Sequence, residues 1–584
     1  MEYKSKNVVC QNCKSSFTIE SEDFNFYEKL KVPPPTWCPH CRFIRRLTFI
    51  NHRSLYKRVC EHCNASTISM YHPDTPIPVW CVKCHISDAW DARDYAKEYD
   101  FSKPFFEQFN DLKINVPHRA LDQNEKNGTG CEYSNYCFGS KDTYLSFSVG
   151  GSENVKYSAH VFKGNKNCFD SLSVKNSDRV YELVQSSGSY NSSFLIESDQ
   201  CIESHFLFDC SNCTNCCLSL NLRNKSNVFR NKQLSKEEYQ KAFSKLKLDT
   251  YSGQLKAKEE FYKIAQNAIH RDAHIKNSVN TIGDFIENSK NVYHCYGLIG
   301  AENIKHIFFA MNMIKDSQNI AFCGLNEECY EFTYGGRDAN KAIFAISCGG
   351  GCKNIFYCDS CRECSDCFGC VGLSKKQYCI LNKQYSKEKY FEMIKKIQAH
   401  MNNNPYIDRI NRKYSFGEFF PTEISPFAYN ETVAFEEQPL SQKEAISLGY
   451  KWREPELKSY KPTIKGDDIQ DSINDVADSI CNEIIECPNQ GKVKTQCTSA
   501  YRILPDELSF YRQMNLPIPR YCPNCRYHAR LVWKNPFRFY ERECMCELSN
   551  HEHQQKCSNK FETIYAPDRP ELIYCKECYQ KEVY

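Results

Sequence analysis

The chain has 584 residues, 37 of them cysteine, a net charge of +3 on 75 basic and 72 acidic side chains, and 14% aromatics. That length predicts two to four domains rather than one core. The near balance of charge excludes a chain-wide basic field for nucleic acid, and the aromatic content argues against disorder. No run of eighteen apolar residues exists, so no membrane-spanning helix is expected. MEYKSKNVVC contains no signal-like apolar stretch, and the cysteine count is odd. Reduced, largely metal-bound thiols in a cytoplasmic protein are therefore expected, not disulfides.

Residues 1–110 read as a double zinc module. They carry four Cys-x-x-Cys pairs: Cys10/Cys13, Cys38/Cys41, Cys60/Cys63 and Cys81/Cys84. Two cysteines around two residues make a tight knuckle whose sulfurs face one ion, and a second knuckle completes a tetrahedron around Zn²⁺. Such an ion holds together a module too small to bury much apolar surface. Sequential pairing of knuckles is expected, and a cross-braced pairing fits the same spacings. In WCPHCRFIRR, Arg42, Arg45 and Arg46 follow the knuckle at helical spacing, which predicts a short helix starting at the metal, as in a treble clef. These arginines are suited to gripping phosphates. They also suit a plainer role, offsetting thiolate charge: residues 1–90 hold twelve Lys and Arg against eight Asp and Glu, and two four-cysteine zinc sites would cancel that excess.

The middle of the chain is repetitive. SKDTY at 140, SENVKY at 152, NKNCF at 165 and SDRVY at 177 recur every 12 or 13 residues, and SKNVY at 289, AENIKH at 301, SQNIAF at 317 and CKNIF at 352 recur more loosely. A polar turn residue, an asparagine, a β-branched residue or cysteine, then an aromatic, at so short a period, predicts a parallel β-solenoid with asparagine ladders; an irregular antiparallel sheet is the alternative. The stretch from Cys210 aligns with that from Cys361 at an offset of 151 residues. The solenoid is thus expected twice, over 111–254 and 255–402. Capped helices near 235–248 and 386–401 should close each copy. In YCDSCRECSDCFGC, Cys358, Cys361, Cys364, Cys367 and Cys370 fall at every third residue. Core packing or a further zinc is the expected role, with an iron–sulfur cluster as the alternative.

Residues 403–480 are expected to be irregular, with a short helix at QKEAISLGYKW and a charged linker feeding a helix into the last module. Residues 481–584 repeat the N-terminal layout: 24 residues lie between Cys497 and Cys522, as between Cys13 and Cys38, and 17 between Cys557 and Cys575, as between Cys63 and Cys81. The expected ligands are Cys487, Cys497, Cys522, Cys525, Cys544, Cys557, Cys575 and Cys578, giving about four zinc ions per chain. Arg526 and Arg530 repeat the arginine helix. The first and third knuckles are opened, and the third loop also holds Cys546, His551 and His553, so an open, catalytic zinc would have to sit there.

CPHCR, ISMYHPDTPIPVWC, FSKPFFEQF, CFGCVGL, YCILNKQYSKEKY, SPFAYNET and YAPDRPELIYC resemble a family of uncharacterised, cysteine-rich zinc-ribbon proteins common in candidate phyla radiation bacteria (Patescibacteria), over nearly the whole chain. The resemblance implies a bacterial cytoplasmic protein with zinc-binding ends, and implies no activity. The chain has no P-loop, dinucleotide fingerprint, HExxH or G-x-S-x-G. A non-enzymatic zinc scaffold is expected, offering a solenoid surface to a macromolecule, protein rather than RNA. The alternatives are an RNA- or ribosome-associated zinc protein and an iron–sulfur or zinc-dependent enzyme.

Overall fold

The computed structural model describes residues 3–584 except 125–127, 132, 316–320, 324–325, 328–330, 332, 334–338, 455–459, 493–495, 549–550, 552 and 554. Most of the SQNIAF phrase therefore lies outside the described residues. The architecture is mainly β. One parallel solenoid runs from Gln123–Asn124 to Ser226–Phe229, and a second from Ile275–Lys276 to Gln377–Ile380. Cysteine-bearing modules flank them in the chain. No helix among the described residues is long and apolar enough to cross a membrane.

The period read from the sequence is one rung. Phe147 stands opposite Ala159, Ala159 opposite Leu172, and Leu172 opposite Val184. Among the described residues of each ladder only the last strand, Lys232–Gln233 or Lys383–Gln384, turns back antiparallel, which ends parallel addition. The helices Lys236–Ser244 and Lys387–Asn403 follow, each capped by the serine of Ser-Lys-Glu. The first is followed by a helix the sequence reading passed over, Tyr251–Ala265, which buries Ala257, Phe261 and Ala265.

Each rung is a square. From Asn167 to Arg230 every third residue is left-handed, with φ of 46–59° at all but Gly188. The residue after each such corner points inward: Cys168, Ser171, Val174, Ser177, Val180 and Leu183 are all fully buried. Four sides of three residues make the 12-residue step. Left-handed backbone costs an L-residue about 1–2 kcal/mol, least for asparagine, which recurs at these corners. Ladders between rungs offset that cost, with Asn154 donating to Asn167, Asn212 to Asn224 and Asn291 to Asn303, each at 2.8 Å.

Small polar groups share the narrow interior with valine and leucine and bond from rung to rung. Ser158 Oγ donates to the Lys156 carbonyl at 2.9 Å and accepts from the Ser171 N–H of the next rung at 3.0 Å. In the second solenoid cysteine takes this place. Cys358 Sγ donates to the Phe356 carbonyl at 3.4 Å, and Cys348 Sγ accepts from the Cys361 N–H at 3.3 Å. Cys358, Cys361, Cys364 and Cys367 are thus the four successive inward residues of one rung and Cys370 is the first of the next, all fully buried. Their spacing is the length of a side.

Four corner columns run along the first solenoid, and they differ in exposure. Asn176, Gly188, Gln200, Asn212 and Asn224 face solvent. Phe194 and Phe206, in the column that begins at Asp170, are covered by the C-terminal half of the chain, in a core that includes Phe510, Tyr511 and Tyr527. The N-terminal module instead packs on the second solenoid, where Trp37, Phe105 and Phe106 join Phe344, Tyr357 and Phe368. The two ends are therefore docked crosswise. Residues 464–486 are packed between the first solenoid's closing helices and the C-terminal module. The expected helix there is replaced by 3₁₀ turns at Gly466–Asp468, Ile473–Asp475 and Asp478–Asn482, with Ile473, Val476 and Ile480 buried. Ser472 caps the second turn, accepting from the Asn474 N–H, while Asp471 accepts from Ser252 and Asp478 from Arg512, bonds that tie the segment outward rather than into a continued helix.

His274 joins the solenoids. Its Nδ1 lies 2.9 Å from Asp284 of the second, and its Nε2 3.2 Å from Glu197 of the first. Burial disfavours the imidazolium, but Asp284 and Glu197 outweigh it and push the pKa up to about 10. In the unfolded chain the value is ~6.5. The charged bridge therefore stabilises the fold fully below ~6.5, and its contribution is lost as pH rises towards 10. His274→Gln should lower the melting temperature, with a larger deficit relative to wild type at pH 6 than at pH 10 in circular-dichroism melts.

Candidate metal centres

Four sets of four cysteines converge, each with its sulfurs within 4.8 Å of one another: Cys10, Cys13, Cys38 and Cys41; Cys60, Cys63, Cys81 and Cys84; Cys487, Cys497, Cys522 and Cys525; and Cys544, Cys557, Cys575 and Cys578. Neighbouring knuckles pair sequentially, and the two opened knuckles close as well. The described cysteines are all free of disulfides.

Every centre is built alike. The first two ligands sit in the turn of a hairpin, Lys6–Val9 with Ser16–Ile19 in the first centre and Tyr56–Val59 with Ser66–Ser69 in the second. In both, a left-handed residue after the knuckle, Lys14 or Asn64, turns its N–H back to the carbonyl of Cys10 or Cys60. The third ligand caps a helix and the fourth lies in its first turn. Cys38, Cys81, Cys522 and Cys575 precede the helices Pro39–Leu47, Val82–His85, Pro523–Leu531 and Lys576–Val583. A helix start offers N–H groups and a positive dipole end to thiolates.

The donor geometry fits a tetrahedral ion. Four sulfurs ~2.3 Å from a centre stand about 3.8 Å apart along each edge. Cys13 and Cys38 are 3.8 Å apart, Cys63 and Cys81 3.9 Å, Cys487 and Cys525 3.8 Å, and Cys497 and Cys522 3.9 Å. N–H donors surround the sulfurs as they would thiolates. Cys81 N–H reaches Cys60 Sγ at 3.1 Å and Cys575 N–H reaches Cys544 Sγ at 3.2 Å. Three asparagine amides, of Asn12, Asn489 and Asn559, donate to Cys41, Cys525 and Cys575. The sequence reading passed over these asparagines, although each lies two residues after a ligand cysteine. Against the cost of burial, the backbone N–H groups of Cys63, Cys81 and His62 bring the Cys60 thiol down to about 6. Burial and the adjacent thiols push Cys84 up to about 12, the repulsion a bound dication relieves.

The arginines after the knuckles turn inward. Arg42, Arg45, Arg46, Arg526 and Arg530 are at most 6% exposed. Arg45 pairs with Glu331 at 2.8 Å and Glu418 at 3.1 Å, and lies over the Trp37 ring at 4.2 Å. Arg42 lies 3.8 Å from Glu331. Arg526 and Arg530 converge on Asp170 at 2.8 and 2.9 Å. Glu331 and Asp170 are both left-handed solenoid corners, so each arginine helix latches onto a corner of the opposite solenoid. The run Cys358–Cys370 forms none of the metal-sized groups among the described residues. Burial pushes the Cys348 and Cys352 thiols up to about 12 and the Cys358 and Cys361 thiols well above their usual range, and the adjoining Cys361 thiol, helped by burial, pushes Cys364 up to about 12.

No family model and no curated protein sequence matches the chain. Among solved structures it aligns with the crystal structure of a "putative acetyltransferase" from Desulfovibrio desulfuricans G20, at 11% identity, over 50% of this chain and 81% of that one, with a TM-score of 0.10. So low a score carries no argument.

Asp170→Asn removes the charge that two buried guanidiniums share, leaving Arg526 only the more distant Glu507 at 3.9 Å. It should destabilise the C-terminal module by about 3–5 kcal/mol. Urea unfolding followed by fluorescence of Trp533, packed at 6.1 Å from Phe261 beside the same solenoid, would measure it.

Proposed function

We propose that this is a non-enzymatic, cytoplasmic zinc scaffold. On this reading treble-clef-like zinc modules at both ends brace a double β-solenoid, whose solvent-facing corners meet a macromolecular partner. One observation carries it: each set brings four sulfurs within 4.8 Å of one another, and four thiolates around one ion would leave no coordination position for water or substrate. Zinc is favoured because four thiolates in a tetrahedron suit it, and because it is redox-inert beside so many thiols. A protein partner is favoured over RNA because the arginines suited to phosphate are buried against acids. The polar corner column from Asn176 to Asn224 is the surface left for it. Resemblance to the cysteine-rich zinc-ribbon proteins of candidate phyla radiation bacteria agrees with this reading.

Elemental analysis of anaerobically purified protein should give four or more zinc ions per chain with no iron. Stripping them with a thiol-reactive mercurial and chelator should abolish the cooperative thermal transition. Iron with sulfide and a brown colour, or a metal-free chain that melts unchanged, would overturn the reading.

A further inference from the structure

The opened knuckle near the C-terminus poses a separate question. In the second centre two residues separate Cys60 from Cys63, whereas twelve separate Cys544 from Cys557, and those twelve include Cys546, His551 and His553. The fourth centre closes without any of them.

We propose that this loop holds a further metal ion, ligated by Cys546, His551 and His553 and sharing the Cys578 thiolate with the neighbouring four-cysteine centre. The module would then carry a two-ion cluster. This rests on the reading of that centre as metal-loaded, and adds a site to it. The four donor atoms lie within 4.8 Å of one another, two sulfurs and two imidazole nitrogens. His551 Nδ1 is 3.2 Å from Cys546 Sγ, and His553 Nε2 is 3.4 Å from Cys578 Sγ.

Both rings are held from behind. His551 Nε2 lies 3.0 Å from Glu582 Oε1, and His553 Nδ1 lies 2.5 Å from the Gln555 carbonyl. Carboxylate and carbonyl oxygens only accept, so each ring carries its proton on that outer nitrogen. The inner nitrogen of each presents a bare lone pair to the thiol sulfurs. Orientation of a ligand imidazole by a carboxylate or carbonyl on its far nitrogen is the usual support of a metal site. The His551 side chain is 2% exposed, and Cys546 is fully buried.

The loop is also anchored. The Met545 N–H donates to the Ile573 carbonyl and the Cys557 N–H to the Cys546 carbonyl, both at 2.9 Å. Charge favours the second ion. Five thiolates around two dications sum to −1, whereas four around one leave −2 in a buried site. Two thiolates and two imidazoles suit Zn²⁺, and four ligands close its shell.

Two measurements on the full-length protein test this. An anomalous difference map at the zinc edge should show two peaks flanking the Cys578 sulfur, each ~2.3 Å from it. The double variant His551→Ala/His553→Ala should bind one zinc fewer per chain than wild type. A single peak beside Cys578, or an unchanged zinc count in the double variant, overturns the shared site and leaves the four-cysteine centre standing. No peak at Cys578, with a zinc count unmoved by Cys544→Ser, removes the parent centre as well.

Discussion

A left-handed corner at every third residue governs this molecule. Three-residue sides leave a rung only four inward positions, and the square they enclose admits serine, cysteine, valine and leucine but no aromatic ring. The solenoids therefore cannot assemble a wide core inside themselves. Their large side chains, Phe194 and Phe206 in one and Phe344, Tyr357 and Phe368 in the other, point outward and need cover. The covering layer is the rest of the chain.

That layer could not fold on apolar burial alone. The hairpin strands of its cysteine modules are four residues long at most and their helices at most ten, and they would gain rigidity where thiolates gather around an ion. The buried arginines then fix position. A guanidinium out of water is costly unless its partners are well placed, so Arg45 between Glu331 and Glu418, and Arg526 with Arg530 on Asp170, allow each module one seat. Apolar contact supplies adhesion, and the ion pairs supply register.

Much of this was legible in the sequence. The repeat of 12 or 13 residues is the strand register, because a rung has fixed length and each turn demands the same kind of residue. The cysteine sets converge because ligand spacing is dictated by coordination geometry. The run from Cys358 to Cys370 was harder. Its three-residue spacing is shared by cluster-binding loops and by square rungs, and only the run of left-handed φ values separates them. The inward turn of Arg42, Arg45 and Arg46 was out of reach too, since the acids that meet Arg42 and Arg45 lie hundreds of residues away. The helix expected before the last module failed for a local reason. Its acids are engaged by distant residues such as Ser252 and Arg512, and its isoleucines are drawn one at a time into the core they share with the C-terminal module.

Crosswise docking has a consequence in time. A chain made from its N-terminus exposes Arg45 long before Glu331 exists, and 286 residues separate the two. At ~5–20 residues per second that is a wait of about 15–60 s. The first module can load its ions in that interval, but it has nothing to sit on. The first solenoid waits likewise for Phe510 and Tyr511. Each half is thus finished by the other, and a chain cut short anywhere in the second solenoid leaves both its cysteine-rich head and its first aromatic face uncovered, visible to whatever clears incomplete proteins.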